Sequence, residues 1–163
     1  CKGNGSVNMK TFLKILVAII IVGALCFGIY CILPETSQMY VKGNIQYRTN
    51  ETAKTQVDKI KKTKIPGTEK TFGAGLEGLC KSCAWYYEEE ANGDWMVTFY
   101  GSKATMDLTT AGMDQMYTEQ PMKVTFTVRN NSQVDIVMEI KGDILSTDQA
   151  KTAAYEKIAN AAK

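Results

Sequence analysis

Two cysteines three positions apart, Cys80 and Cys83, are the residues of this 163-residue chain whose type and spacing could do chemistry. In an oxidising compartment such a pair forms a disulfide, and with one stabilised thiolate it exchanges disulfides with other proteins. In known redox sites of this spacing, a helix begins on the motif. Here the motif follows glycine-rich residues 72–79, which we predict to be a loop, and precedes the β-prone residues 84–87. A structural disulfide is therefore favoured over a redox centre.

Most other catalytic arrangements are excluded by composition. The chain has no histidine, which rules out histidine-based nucleophilic catalysis, histidine-ligated zinc and covalent haem attachment of the usual type. Two cysteines are only half of a zinc ligand set, so we predict no metal site and no cofactor. The net charge of +2 is too small for an electrostatic nucleic-acid binder. We expect a protein without catalysis of its own, with thiol chemistry at Cys80 and Cys83 as the open alternative.

A long apolar segment near the N-terminus predicts a membrane-spanning helix. Residues 15–33 carry no charged side chain, and at ~1.5 Å per residue they cover about 28 Å, close to the ~30 Å of the hydrocarbon core. Phe12 and Leu13 extend the segment, so residues 12–33 are expected to contact membrane lipid. The segment is longer than the ~7–15 residues of a signal-peptide core, and it ends without the small residues of a cleavage site. We therefore predict an uncleaved signal-anchor.

The distribution of charge predicts the orientation of this helix. Residues 1–33 contain Lys2, Lys10 and Lys14 and no acidic residue, whereas residues 34–163 contain 16 basic and 17 acidic side chains. The positive-inside rule then leaves the N-terminus in the cytoplasm and the C-terminal domain outside a cell membrane that the chain crosses once. The predicted organisation is a cytoplasmic tail or cloning remnant (1–11), the signal-anchor helix (12–33), a linker with a short strand at 39–47 (34–49) and an extracytoplasmic domain (50–163).

Ala24 and Gly28 lie four positions apart within the apolar segment. Small residues at this spacing let two membrane helices approach closely. They are candidate helix-packing residues, and a homo-oligomer stays open.

The residues after position 50 predict an α+β domain in which a small antiparallel sheet has a helix on each side of the strand run in sequence. Apolar residues at helical spacing predict a helix over about 51–62. Alternating apolar and polar residues at 103–109, 122–129 and 134–140 predict strands with one buried face. The spacing of a capping box at 146–149 predicts a closing helix.

Asn92-Gly93 lies between two β-rich segments and predicts a hairpin with a two-residue turn. In that register Trp85 faces Tyr100 and Tyr87 faces Thr98. One face of the hairpin then carries a set of side chains that is too apolar for a surface that only meets water: Trp85, Tyr87, Met96 and Tyr100. Either a helix covers this face or it binds a partner, and we take it as the candidate partner-binding surface.

Residues 11–23, Thr-Phe-Leu-Lys-Ile-Leu-Val-Ala-Ile-Ile-Ile-Val-Gly, resemble the first helix of type IV pilins and pseudopilins. A hydrophobic helix followed by an antiparallel sheet is also the layout of that family. This chain has Lys14 where the family has an acidic residue, and Met9 where it has the glycine before the processing site. The resemblance implies a filament subunit that stacks through residues 11–33.

The sequence as a whole predicts a membrane-anchored binding or scaffold domain, an accessory component of an envelope or membrane assembly with a protein partner. A pilin-like filament subunit and a thiol–disulfide protein are the alternatives. Nucleic acid is not an expected partner.

Overall fold

The computed structural model describes residues 9–109, 115–129 and 133–162. Within them lie five helices and a five-stranded antiparallel sheet of order β1-β2-β3-β4-β5, which confirms the α+β class. The elements in chain order are α1 (Met9–Ile32), α2 (Glu35–Thr49), α3 (Glu51–Lys62), α4 (Phe72–Leu79), β1 (Ser82–Glu89), β2 (Trp95–Asp107), β3 (Met116–Arg129), β4 (Gln133–Ile140), β5 (Asp143–Ile144) and α5 (Asp148–Ala161). The chain divides into two compact units, Cys1–Gln38 and Met39–Lys163.

Helix α1 is apolar along most of its length. Thr11–Ile32 is long and apolar enough to cross a membrane, and its most apolar stretch has no buried residue. Large hydrophobic side chains are exposed along the whole helix, from Phe12 to Ile32. A signal sequence near an N-terminus has the same length and composition. The membrane-compatible helix is therefore present as predicted.

One face of the sheet is buried against helices α3, α4 and α5. The apolar face of α3 consists of Ala53, Val57 and Ile60, all buried as their spacing predicts. Phe72 of α4 packs edge-on against Phe126 of β3, with 5.0 Å between the ring centroids. These contacts join the helical layer to the middle of the sheet.

The predicted helix at the C-terminus is confirmed as α5. Thr147 is its N-cap, and its hydroxyl accepts a hydrogen bond of 3.2 Å from Ala150 N. Ala150, Ala154 and Ile158 are buried on one side of the helix. The predicted capping box begins one residue earlier, at Ser146, so the sequence identifies the helix but displaces its cap by one residue.

The short strand predicted at residues 39–47 is wrong, because these residues belong to helix α2. Their β-branched and aromatic side chains favour a strand locally. Tertiary contacts override that preference: a Cβ on Gly43 would lie 2.5 Å from Trp85 O, so the glycine lets the helix approach β1 closely. The glycine costs about 1 kcal/mol in a helix relative to alanine.

The loop predicted at residues 72–79 is also wrong, because these residues form helix α4. Thr71 caps it by accepting a hydrogen bond of 3.4 Å from Ala74 N. Its glycines serve close packing rather than flexibility. At Gly75, a Cβ would come within 2.5 Å of Ile158 O in α5.

The β1–β2 hairpin pairs one residue out of the predicted register. Trp85 lies opposite Phe99 and Tyr87 opposite Val97. The loop runs over residues 90–94 and is closed by a hydrogen bond of 2.8 Å from Glu90 N to Asp94 O. Within it, the side chain of Asn92 accepts from Asp94 N at 2.9 Å. A five-residue loop therefore replaces the predicted two-residue turn.

Candidate functional site

The slip in register disperses the predicted partner-binding surface. Because side chains alternate across a strand, moving the pairing by one residue turns Trp85 and Tyr87 to the opposite face from Met96 and Tyr100. Trp85 and Tyr87 are only 5% and 8% exposed and belong to the core. The predicted apolar face of Trp85, Tyr87, Met96 and Tyr100 does not form, and these four residues do not share one surface.

Trp85 instead is an anchor of the core. Its ring lies 4.9 Å from that of Phe99, edge-on, and 6.2 Å from that of Phe126, stacked. Tyr87 lies next to Trp95, with ring centroids 6.2 Å apart. Such aromatic contacts add to the free energy of burial.

Strand β1 is an edge strand, and helix α2 covers its outer side. The side-chain amide of Gln46 donates to Tyr87 O and accepts from Tyr87 N, both at 2.8 Å. One residue of α2 thus satisfies two of the backbone groups that a neighbouring strand would otherwise bind. Gly43 brings the helix against the backbone of Trp85. This arrangement protects β1 from pairing with another chain.

A cleft of about 240 Å³ lies where α2, α3, α4 and β1 meet. At its wall Lys61 Nζ pairs with Glu77 Oε1 at 2.8 Å, and Trp85 Nε1 donates to the same oxygen at 3.0 Å. The residues that line it are Gly43, Asn44, Tyr47, Lys61, Glu77, Cys83, Ala84 and Trp85.

The lysine of this cleft is held between two aromatic rings. Lys61 Nζ lies 5.2 Å from the ring centroid of Tyr47 and 5.5 Å from that of Trp85, distances of cation–π contacts. Lys61 and Glu77 are not among the candidate site residues predicted from the sequence. Lys61 lies four positions after the buried Val57, a spacing that signals a partly buried lysine. Its acidic partner Glu77 lies in residues 72–79, which the sequence predicts to be a loop, so the sequence does not pair the two.

Tyr47 closes the other side of the cleft. Its hydroxyl donates to Asp58 Oδ1 at 2.7 Å. This hydrogen bond is the main cause that raises the pKa of Tyr47 above its ordinary value, followed by burial and by the charges of Asp58 and Glu77. The charged and polar side chains around the cleft therefore satisfy one another, and the cleft joins three helices to the edge of the sheet.

Cys80 is the C-cap of α4 and Cys83 lies in β1, so a helix ends before the motif and a strand begins on it. Both are free, half-buried thiols in this structure, and the predicted disulfide stays a prediction. The sulfur of Cys80 packs over Gly101, where a Cβ would overlap it. Gly101 is also the residue opposite Cys83 in the β1–β2 pair. The two cysteines therefore flank the same glycine.

The surroundings of both thiols stabilise the neutral form. Burial, and next the nearby Cys83, raises the pKa of Cys80 to about 12. Burial is also the main cause that raises the pKa of Cys83, with Glu77 raising it further and Lys61 lowering it. A thiol that stays protonated is a poor nucleophile. The microenvironment thus favours a structural role for this pair over disulfide exchange.

The remaining candidate residues are on α1. A Cβ on Gly28 would meet no atom within 4 Å, and helix packing through Ala24 and Gly28 stays a prediction. Among the residues that the structure describes, no group of three or more cysteine, aspartate and glutamate side chains could hold a metal ion. Comparisons with protein-family models, with curated proteins and with solved structures gave no match to this chain.

Proposed function

We propose that this chain is a single-pass membrane protein whose folded domain, Met39–Lys163, binds or scaffolds other components of an envelope or membrane assembly. The observation that carries the proposal is the exposure of α1. Large side chains such as Ile20 and Leu25 are more than half exposed. Burying such side chains in a lipid core is favourable by about 1.5–3 kcal/mol each. A bilayer supplies that environment over the length of the helix.

The proposed orientation rests on the lysines that precede residues 15–33, the uncharged stretch of the apolar segment. Lys2, Lys10 and Lys14 are not balanced by any acidic residue in the first 33 positions. Positive residues next to a span are retained on the cytoplasmic side. The folded domain then lies outside the cytoplasm, where its protein partner would be found.

The proposal of a binding domain rests on the state of the polar groups in the folded unit. Lys61 and Glu77 are paired with each other, and Tyr47 with Asp58. Burial raises the pKa of both thiols, Cys80 and Cys83. Polar side chains that bond to one another in this way hold the helices and the sheet in place. The fold then serves as a platform for a partner, and the apolar face predicted from sequence does not form on it.

The test is the membrane topology of the full chain in intact cells. With an epitope after Lys163, we expect the folded domain to resist carbonate extraction and to be digested by protease added outside the cells. A matched variant with Lys2, Lys10 and Lys14 all replaced by glutamine should lose this uniform orientation. Release of a shortened chain into the medium, or protection of the epitope in intact cells, would contradict the proposal.

A filament subunit is the second candidate. Two observations favour it: residues 11–23 resemble the pilin helix, and α1 exposes apolar side chains along its length, which would suit helix-to-helix stacking. It predicts filaments that sediment after mechanical shearing of cells. An anchored scaffold predicts that the chain stays with the membrane pellet instead.

A further inference from the structure

The two edges of the sheet differ in how far other residues cover them. The outer edge of β1 is covered by Gln46 and Gly43 of α2. At the opposite edge, the two-residue strand β5 pairs only with Glu139 and Ile140 of β4. One more hydrogen bond, from Leu145 N to Met138 O at 2.9 Å, extends this cover. Among the described residues, none pairs with the outer side of β4 over residues 133–137.

The backbone groups that face outward on this open edge follow from strand geometry. Met138 directs its carbonyl outward to Leu145. Because alternate residues of an antiparallel strand direct their backbone groups to the same side, Val134 and Ile136 also present N–H and C=O groups outward. Their side chains lie on the core face, like that of Met138. The open edge thus offers a short ladder of four backbone hydrogen-bonding groups.

Three of the five side chains along this edge are apolar, and two of these three are accessible. Val134 is 39% exposed and Val137 is 46% exposed. The charge on this stretch, Asp135, is held by Arg129 of β3, with 3.5 Å between Nε and Oδ2. An edge strand without lysine or proline, and with its acidic residue paired, lacks the usual devices that prevent strand addition.

We propose that two copies of this chain associate through β4, antiparallel and centred on Asp135, to form a continuous sheet. The register follows from β5. A pairing centred on Ile136 would place Val134 against Met138, whose carbonyl is already bonded. The pairing centred on Asp135 uses residues 133–137 of both copies and leaves both β5 strands in place.

This register is self-complementary, which favours a second copy as the occupant. Val134 of each copy lies opposite Ile136 of the other on the core face, so the apolar row that begins with Val128 and Val134 continues across the interface. The two Asp135 side chains meet at the two-fold axis, and the ion pair that each makes with its own Arg129 offsets part of their mutual repulsion. Isologous contacts of this kind close at two subunits. If the proposed membrane anchor holds, confinement in one bilayer raises the effective concentration of the two edges.

Cysteine cross-linking in membranes that contain the full chain tests this register. Asp135 directs its backbone groups toward β3, so residues 135 of the two copies form a non-hydrogen-bonded pair, with Cα atoms about 4.5 Å apart, within reach of a disulfide. Under mild oxidation, Asp135→Cys should give several-fold more disulfide-linked dimer than the unmodified chain, whose native cysteines set the background. Thr127→Cys is the matched control: Thr127 is the neighbour of Asp135 on β3, one strand further from the edge. It should stay at background.

Two further variants separate the register from side effects of removing Asp135. Chains with Gln133→Cys and chains with Val137→Cys, produced together, should cross-link to each other while Asp135 is intact. Val134→Pro removes an outward N–H that the β3–β4 ladder does not use, and it should abolish the cross-link of Asp135→Cys.

The proposal is overturned if Asp135→Cys cross-links no more than Thr127→Cys, if Val134→Pro leaves the yield unchanged, or if the captured species is a different protein. Unchanged tryptophan fluorescence of each variant shows that the fold persists. Membrane extraction of the same samples reads the anchor separately, so failure of the dimer and failure of the anchor are distinguishable.

Discussion

Replacing Gln46 tests whether α2 holds the edge of β1. In Gln46→Ala the N–H and C=O groups of Tyr87 both lose their 2.8 Å partners. A neutral hydrogen bond contributes about 0.5–1.5 kcal/mol net, so the loss of two costs about 2 kcal/mol. In a folded unit of this size, that lowers the unfolding midpoint by roughly 6–10 °C. Lys42→Ala, at an exposed position of the same helix, should leave the midpoint nearly unchanged.

The assay is thermal unfolding of the full chain in detergent, followed by tryptophan fluorescence. Trp85 and Trp95 are the two tryptophans of the chain, and both are buried. Trp85 lies on the same strand as Tyr87, and the ring of Trp95 lies next to that of Tyr87. Their emission therefore reports the region that the substitution disturbs. Amide hydrogen exchange at Tyr87 is a local readout, and protection there should fall more than at the centre of the sheet.

Gln46→Glu extends this prediction to the pH dependence of stability. The introduced carboxylate can accept from Tyr87 N, but it faces Tyr87 O with a second acceptor. Protonation of the carboxyl restores a donor for Tyr87 O, so the fold raises the pKa of the introduced carboxyl. The variant should therefore approach wild-type stability as the pH falls below ~5 and lose that stability as the pH rises. Gln46→Ala should show no such recovery relative to wild type. Equal pH profiles for the two variants, or a loss under ~0.5 kcal/mol for Gln46→Ala, would refute the role given to Gln46.

Three further outcomes follow from the cleft and the cysteines. Gly101→Ala should destabilise the fold because its Cβ would overlap the sulfur of Cys80, and adding Cys80→Ala should recover part of the loss; additive effects in unfolding experiments would argue against this contact. Alkylation of Cys80, followed by peptide mass spectrometry, should be slow at neutral pH and accelerate only as the pH approaches its pKa of about 12; a rate like that of a free thiol would contradict the burial of this sulfur. Tyr47→Phe should lower the free energy of unfolding by about 1–2 kcal/mol, because it removes the hydrogen bond to Asp58. The fold raises the pKa of Tyr47 above 10.0. The difference in stability should therefore be full below pH 10 and shrink as the pH rises through the folded pKa, as measured by unfolding across that range.

The elements that the sequence predicts correctly are those that local rules determine. Helix α3 has buried residues at spacings of four and three, and α5 has Ala150, Ala154 and Ile158 buried at spacings of four. Strands β3 and β4 alternate apolar and polar side chains with one face clearly buried. In each case the pattern of one segment is sufficient.

The register of the β1–β2 hairpin is a feature that such local patterns do not determine. Both faces of β1 and β2 carry apolar or aromatic side chains, so either register buries a plausible set, and the sequence of the hairpin does not decide between them. The decision comes from outside the hairpin. Phe126 of β3 packs on Trp85, and Gln46 of α2 binds the backbone of Tyr87. The sequence does not identify the pair of Lys61 and Glu77 for the same reason, since this pair requires that α4 be a helix packed beside α3.

Helix α2 contains a segment whose local preference differs from its structure. As a strand, residues 39–47 could have paired with β1 and extended the sheet, which is what their side chains favour locally. As a helix, they place a single amide, that of Gln46, on the backbone of Tyr87 and a glycine over Trp85. A helix ends the sheet at this edge, whereas another strand would have presented a new open edge. Among the described residues, the outer side of β4 over residues 133–137 has no such cover.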